Sequence, residues 1–132
     1  MTPVIFINCN DEPFVDYIID GRKSYETRNR NSLKSLLSWA LGKRVLIAET
    51  GHGNPIIRCS AVIDCYWDVH SAHGWNAVRN VHAVPVGSKY DWKPDTKVKW
   101  LYHLTDVQPV DPFTLPNNSI RHGRVWAEYR EE

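Results

Sequence analysis

DGRKSYETRNR, residues 20–30, holds a strand-length segment between two helical patterns, and it carries charge where a core strand would carry valine or leucine. Lys23, Glu26 and Arg28 fall within six positions, interleaved with Ser24, Tyr25 and Thr27. Side chains alternate across a strand, so Ser24, Glu26 and Arg28 share one face while Lys23, Tyr25 and Thr27 share the other. Lys23 stands only two residues after Gly21, before a regular strand is established. A turn or bulge there would swing it to the Glu26 side.

The flanks fix what kind of domain this is. Upstream, VIFIN (residues 4–8) reads as a short buried strand. NDEPFVDYIIDG reads as a helix with Asp11 as its cap, Pro13 in the first turn and Gly21 at its end. Downstream, SLKSLLSWALG places Leu33, Leu36, Leu37, Ala40 and Leu41 on one helical stripe closed by Gly42. RVLIAET (44–50) and IIRCSAVIDCYW (56–67), joined by the glycine-rich GHGNP, predict a hairpin. VHSAHGWNAVRNVH predicts a short helix and VPVGSKYDWKPD a loop. KVKWLYHLTDVQPV (97–110) predicts a long strand, DPFTLPNNSIRHG an irregular connection, and RVWAEYR a last strand. The order β-α-β-α-β-β-α-β-β predicts one mixed α+β domain over residues 1–132, or a partly open barrel.

Composition excludes several classes. Net charge is +1 over 132 residues, too balanced for a protein that coats duplex nucleic acid by charge alone. No apolar run reaches membrane-span length, and the start lacks the basic and apolar regions of a signal peptide. Three cysteines without a metal-type pair fit reduced thiols in a cytoplasmic protein. Cys59 and Cys65 share parity on one strand and read as small core residues. His70 and His73 lie near Asp68 and Cys65, but no standard zinc spacing appears, so the sequence calls for no metal and no cofactor.

The pattern G-x-K-x-x-E-x-R formed by Gly21, Lys23, Glu26 and Arg28 between a first and a second helix resembles that of the ASCH family. GKRVLIAETG, AVIDCYW, VKWLYHLTDVQPV and the closing HGRVWAEY extend the resemblance over nearly the whole chain. It implies a PUA-like partly open β-barrel flanked by two or three short helices. It also implies a cleft that binds single-stranded RNA or a nucleotide-like small molecule. Some relatives are hydrolases: one group deacylates N4-acetylcytidine and another cleaves RNA. In the deacylating group the motif lysine assists a threonine three positions later. Lys23 matches that lysine, but Glu26 stands in place of the threonine. The general-base glutamate of that group is also unmatched, since DVHSAHGWNAVRN holds Asp68 and no glutamate. The amide-cleaving activity is therefore not carried over.

The chemistry expected of the motif follows from its residue types. Lys23 offers a cation for phosphate or an oxyanion, Glu26 a carboxylate for a base edge or a proton, and Arg28 a planar guanidinium. Lys23 and Glu26 are the catalytic candidates if the protein is an enzyme. On residues alone, the same pattern also describes a solvated strand face with a modest surface ion pair. Trp67, Trp75 and Trp92 fall near loops or strand ends, positions open either to packing or to stacking on a base. Trp39 is expected to pack beside its helical stripe. Lys89, within Ser88–Lys89–Tyr90 beside Trp92, adds a phosphate contact if its loop folds over the motif. Arg121, His122 and Arg124 around Gly123 form a last charged group, either at the cleft rim or on a solvated turn.

Overall fold

The computed structural model describes residues 1–130. β1 (Thr2–Asn8) leads into α1 (Phe14–Ile19), β2 (Tyr25–Arg28), α2 (Lys34–Ala40), β3 (Arg44–Thr50) and β4 (Ile56–Val69). Then come α3 (Ala72–Ala77), α4 (Arg79–His82), β5 (Lys99–Thr114), β6 (Ile120–His122) and β7 (Trp126–Tyr129). The seven strands form one sheet in the order β2-β5-β4-β3-β1-β7-β6. Only β1 and β3 pair in parallel among these neighbours, so the sheet is mixed.

The sheet is strongly bent. β4 and β5 are the long strands, and their pairing shifts register at Ile57/Cys59, Ser60/Val62 and Ile63/Cys65. The first shift adds two residues on β5, the second adds one on β5 and the third adds one on β4, and such irregularities increase local twist. The bending brings β2, at one end of the order, back towards β1. No ladder joins the two. The Arg28 guanidinium spans the gap instead and donates to the Phe6 carbonyl at 2.7 Å. The barrel is therefore open along this seam.

The interior is filled by one large cluster, including Ile5, Ile7, Phe14, Ile18, Leu33, Leu36, Ile47, Ile63, Leu101 and Tyr102. A smaller cluster of Val4, Phe6, Ala48, Ile57, Leu115 and Ala127 covers the other side of β1. This is why residues 4–7, VIFI, are apolar at every position: β1 is buried on both faces there.

Several local expectations need correction. Asp11 does not cap α1; Pro13 occupies that position with no side-chain hydrogen bond. Gly21 does close the helix, with φ at +89° and its N–H donating to the Ile18 carbonyl. The irregular connection expected after residue 110 is structured: β5 runs on to Thr114, and Ile120–His122 adds the edge strand β6. Trp39 is 38% exposed and meets Trp126 edge-on, because it lies on the solvent flank of the α2 stripe. Cys59 is a core residue but Cys65 is exposed, since the intervening bulges break the parity that the spacing implied.

Candidate functional site

Lys23 precedes the regular part of β2 and is fixed from several sides. Its N–H donates to the Tyr17 carbonyl of α1 at 2.9 Å. The next residue, Ser24, donates to Val81 of α4 and accepts from Leu104 of β5, each at 2.8 Å. The ladder with β5 then begins at Tyr25, so alternation starts only there. Lys23 is thus turned towards the inner face despite its odd position, and its ammonium lies 3.8 Å from Glu26 Oε1.

The ammonium is fully enclosed. It donates to the His82 carbonyl at 2.7 Å and sits 4.8 Å from the centre of the Phe14 ring. His82 ends α4, where Ala83 takes the left-handed conformation, so Lys23 satisfies a carbonyl at a helix C-terminus. Burial pushes the Lys23 pKa down to about 8, against the pull of Glu26.

Glu26 is 5% exposed. Its Oε1 accepts from the Thr27 N–H at 2.9 Å and its Oε2 from Arg28 Nη2 at 3.1 Å. Arg28 also holds the Phe6 carbonyl, and its Nε is buried without a partner. A buried guanidinium N–H with no acceptor is costly.

Arg28 also lines a cavity of about 570 Å³. Glu26, Thr27, Arg28 and Asn29 line it from β2, and Phe6, Ile7 and Asn8 from β1. Phe14 and Tyr90, in edge-to-face contact at 5.5 Å, give it an aromatic wall. Thr50, Gly51, Gly53 and Pro55 form the side beyond β3. A Cβ on Gly51 would come within 2.9 Å of the Asn10 backbone nitrogen, and φ there is +104°, so this wall needs glycine. Lys99, Arg121 and Arg124 complete the lining. Among the described lining residues, four basic side chains face one carboxylate.

The structure brings together only part of the expected set. Glu26 and Arg28 line the cavity, and Lys23 supports Glu26 from behind it. Arg121 and Arg124 are at the rim, whereas His122 stacks on Trp126 at 3.7 Å and pairs with Glu128. Lys89 points away, paired with Asp11 at 2.6 Å above a separate groove; its neighbour Tyr90 is the residue that reaches the cavity. Trp67 is exposed, edge-on to Tyr25, and lies outside the lining. Trp92 packs against the core. Trp75 is wholly buried, stacked on His82 at 3.8 Å, so it offers no platform for a base.

Sequence reasoning missed Phe14, Asn29, Thr50 and Lys99. Phe14 looked like an ordinary helix-stripe residue. Lys99 stood in a lysine-rich run with nothing to distinguish it, yet it is 4% exposed and donates to Asn29 and to the Tyr90 carbonyl.

No protein-family model matches the chain, and no curated protein matches it. Solved structures do. The crystal structure of ASCH from Zymomonas mobilis superimposes with a TM-score of 0.68 at 22% identity, over 86% of this chain and 73% of that one. A serine-to-alanine mutant of the same protein gives 0.74 at 19% identity, over 98% and 89%. A tyrosine-to-phenylalanine mutant gives 0.61 at 22%, over 86% and 76%. The chain therefore has the fold of these ASCH proteins, a PUA-like open barrel, as the motif and element order implied.

Proposed function

We propose that the seam cavity binds a segment of single-stranded RNA or a modified nucleotide. The observation that carries this reading is the pairing of Glu26 and Arg28 in the cavity lining, where the Arg28 side chain keeps 18% of its surface exposed. Together they offer a carboxylate and an N–H donor side by side, the complement of a base edge that presents an amine beside a carbonyl. Phe14 and Tyr90 supply aromatic surface, and Arg121 and Arg124 supply cations for phosphate. The volume, about 570 Å³, is in the range of small-molecule sites and suits a splayed base with its sugar.

The experiment is a thermal-shift screen of nucleotides, modified nucleosides and short RNAs against wild type and Glu26→Gln. A ligand that raises the melting temperature of the wild type and not of the variant supports the reading. Failure of every nucleotide and RNA to bind at micromolar protein, at low as well as high salt, counts against it.

A second reading, a small hydrolase acting on RNA or a nucleoside amide, is favoured by one feature. Lys23, brought to about 8, lies beside a carboxylate that reaches the cavity. Turnover lost in both Lys23→Ala and Glu26→Gln, with the fold intact, would support it. The absent threonine weighs against the amide version.

A further inference from the structure

The register shift between Ile63 and Cys65 has a chemical consequence on the far side of the sheet. Ile63 pairs with Leu104 and Cys65 with the next residue, His103, which leaves Asp64 as the extra residue of a bulge. In an unbroken strand Asp64 and Cys65 would point to opposite faces. Here both are exposed on the outer face, opposite His103. The carboxylate of Asp64 and Nδ1 of His103 are 2.7 Å apart. One donor atom from each of Asp64, Cys65 and His103 lies within 4.8 Å of the others, the one such set of three among the described residues.

We propose that Asp64, Cys65 and His103 form a surface site for a thiophilic divalent cation, with zinc(II) the ion the donors favour. A thiolate, an imidazole and a carboxylate are three of the ligand types that zinc takes, and water can fill the fourth position of a tetrahedron. Donors around tetrahedral zinc sit roughly 3.3–3.7 Å apart. The widest of the three separations thus needs to close by little more than about 1 Å and the Asp64–His103 pair to part by roughly 0.6 Å, both within reach of χ rotations on these side chains. The sequence spacing hid the site because its third ligand comes from another strand.

The site is separate from the cavity. Cys65, His103 and Tyr25 form one cross-strand row, and Tyr66, Tyr102 and Glu26 form the adjacent row facing the opposite side. The Tyr25 ring lies 4.9 Å from that of His103 and gives the site an apolar flank. A bound ion would tie the β4 bulge to β5 directly behind Glu26.

Isothermal titration of zinc(II) into the reduced full chain tests this, with Cys65→Ser and His103→Ala as variants. Cys65 is exposed, so the serine variant is expected to melt like the wild type without metal. The expected result is one saturable site, weakened about tenfold or more in each variant. Cobalt(II) should give a thiolate charge-transfer band in the wild type that Cys65→Ser lacks. Zinc should also slow alkylation of Cys65, the one exposed cysteine of the three. No saturable binding, or less than about a tenfold loss in either variant, overturns the proposal. In the second case the ion would be held elsewhere, for instance by the surface pairs Asp68–His70 and Glu128–His122.

Discussion

Glu26 and Asp91 are both buried carboxylates beside an arginine, 5% and 7% exposed, yet their surroundings differ in kind. Asp91 accepts four hydrogen bonds: from Trp75 Nε1, Arg79 Nη2 and the backbone N–H groups of Gly87 and Trp92, at 2.7–2.9 Å. Burial alone would raise its pKa. The four donors outweigh burial and hold it well below the usual carboxylate range. Glu26 has a backbone donor and one guanidinium contact, with Lys23 at the longer distance of 3.8 Å, and it lines a cavity. A saturated carboxylate pins a loop. An unsaturated one is free to address a ligand. The difference separates a structural end of the molecule, around α3, α4 and the Asp91 loop, from the cavity-lined seam at β1 and β2 that is proposed to bind.

The largest effect should come from the structural end. Asp91→Ala strands the Trp75 and Arg79 donors and should cost about 3–5 kcal/mol in urea unfolding. A loss below about 1 kcal/mol would erase the contrast with Glu26. Next is the pH response of the same region. His82 is buried and stacked on Trp75, and desolvation lowers its pKa from 6.5 to about 4. The unfolded chain therefore takes up this proton first. Stability from keeping the ring neutral is present above pH 6.5 and lost as pH falls towards 4, by about 3 kcal/mol in all. Unfolding curves across that window should show the slope, and His82→Gln should flatten it.

At the seam the effects on stability should be smaller. Glu26→Gln should cost only about 1 kcal/mol, because Lys23 keeps the His82 carbonyl and can shed its proton. NMR titration should then place the Lys23 pKa below its value of about 8, since its nearest anion is gone. A loss of stability as large as that of Asp91→Ala would make Glu26 a structural residue too. The mildest change is Arg121→Ala, at an exposed rim position. It should leave melting unchanged and lower the salt slope of RNA binding by about one phosphate contact.

Much of this could be read before the fold was known, and the failures have physical causes. The β3–β4 hairpin and the α2 stripe were readable because apolar periodicity and glycine turns are local signals. The Glu26–Arg28 pair followed from strand parity. Lys23 broke parity because contacts from α1, α4 and β5 hold its backbone outside the ladder, and no local pattern reports such contacts. Cys65 was misplaced for a related reason: a bulge shifts parity without leaving a residue signature. Lys99, Phe14 and Tyr90 join the cavity through bending of the sheet and the path of a long loop, both products of tertiary packing. The same tertiary origin explains why only the fold decides for Trp75, whose sequence position was open to packing or to stacking and which is a buried partner of Asp91.

Fluorescence-anisotropy titration of a labelled short single-stranded RNA, carried out at two salt concentrations with wild type, Arg28→Ala and Asp91→Asn at matched folded fraction, tests the proposed seam site most directly. Saturable, salt-sensitive binding that Arg28→Ala weakens about tenfold or more, and that folded Asp91→Asn retains, is the predicted result. Equal binding by wild type and Arg28→Ala, or none by either, would contradict it.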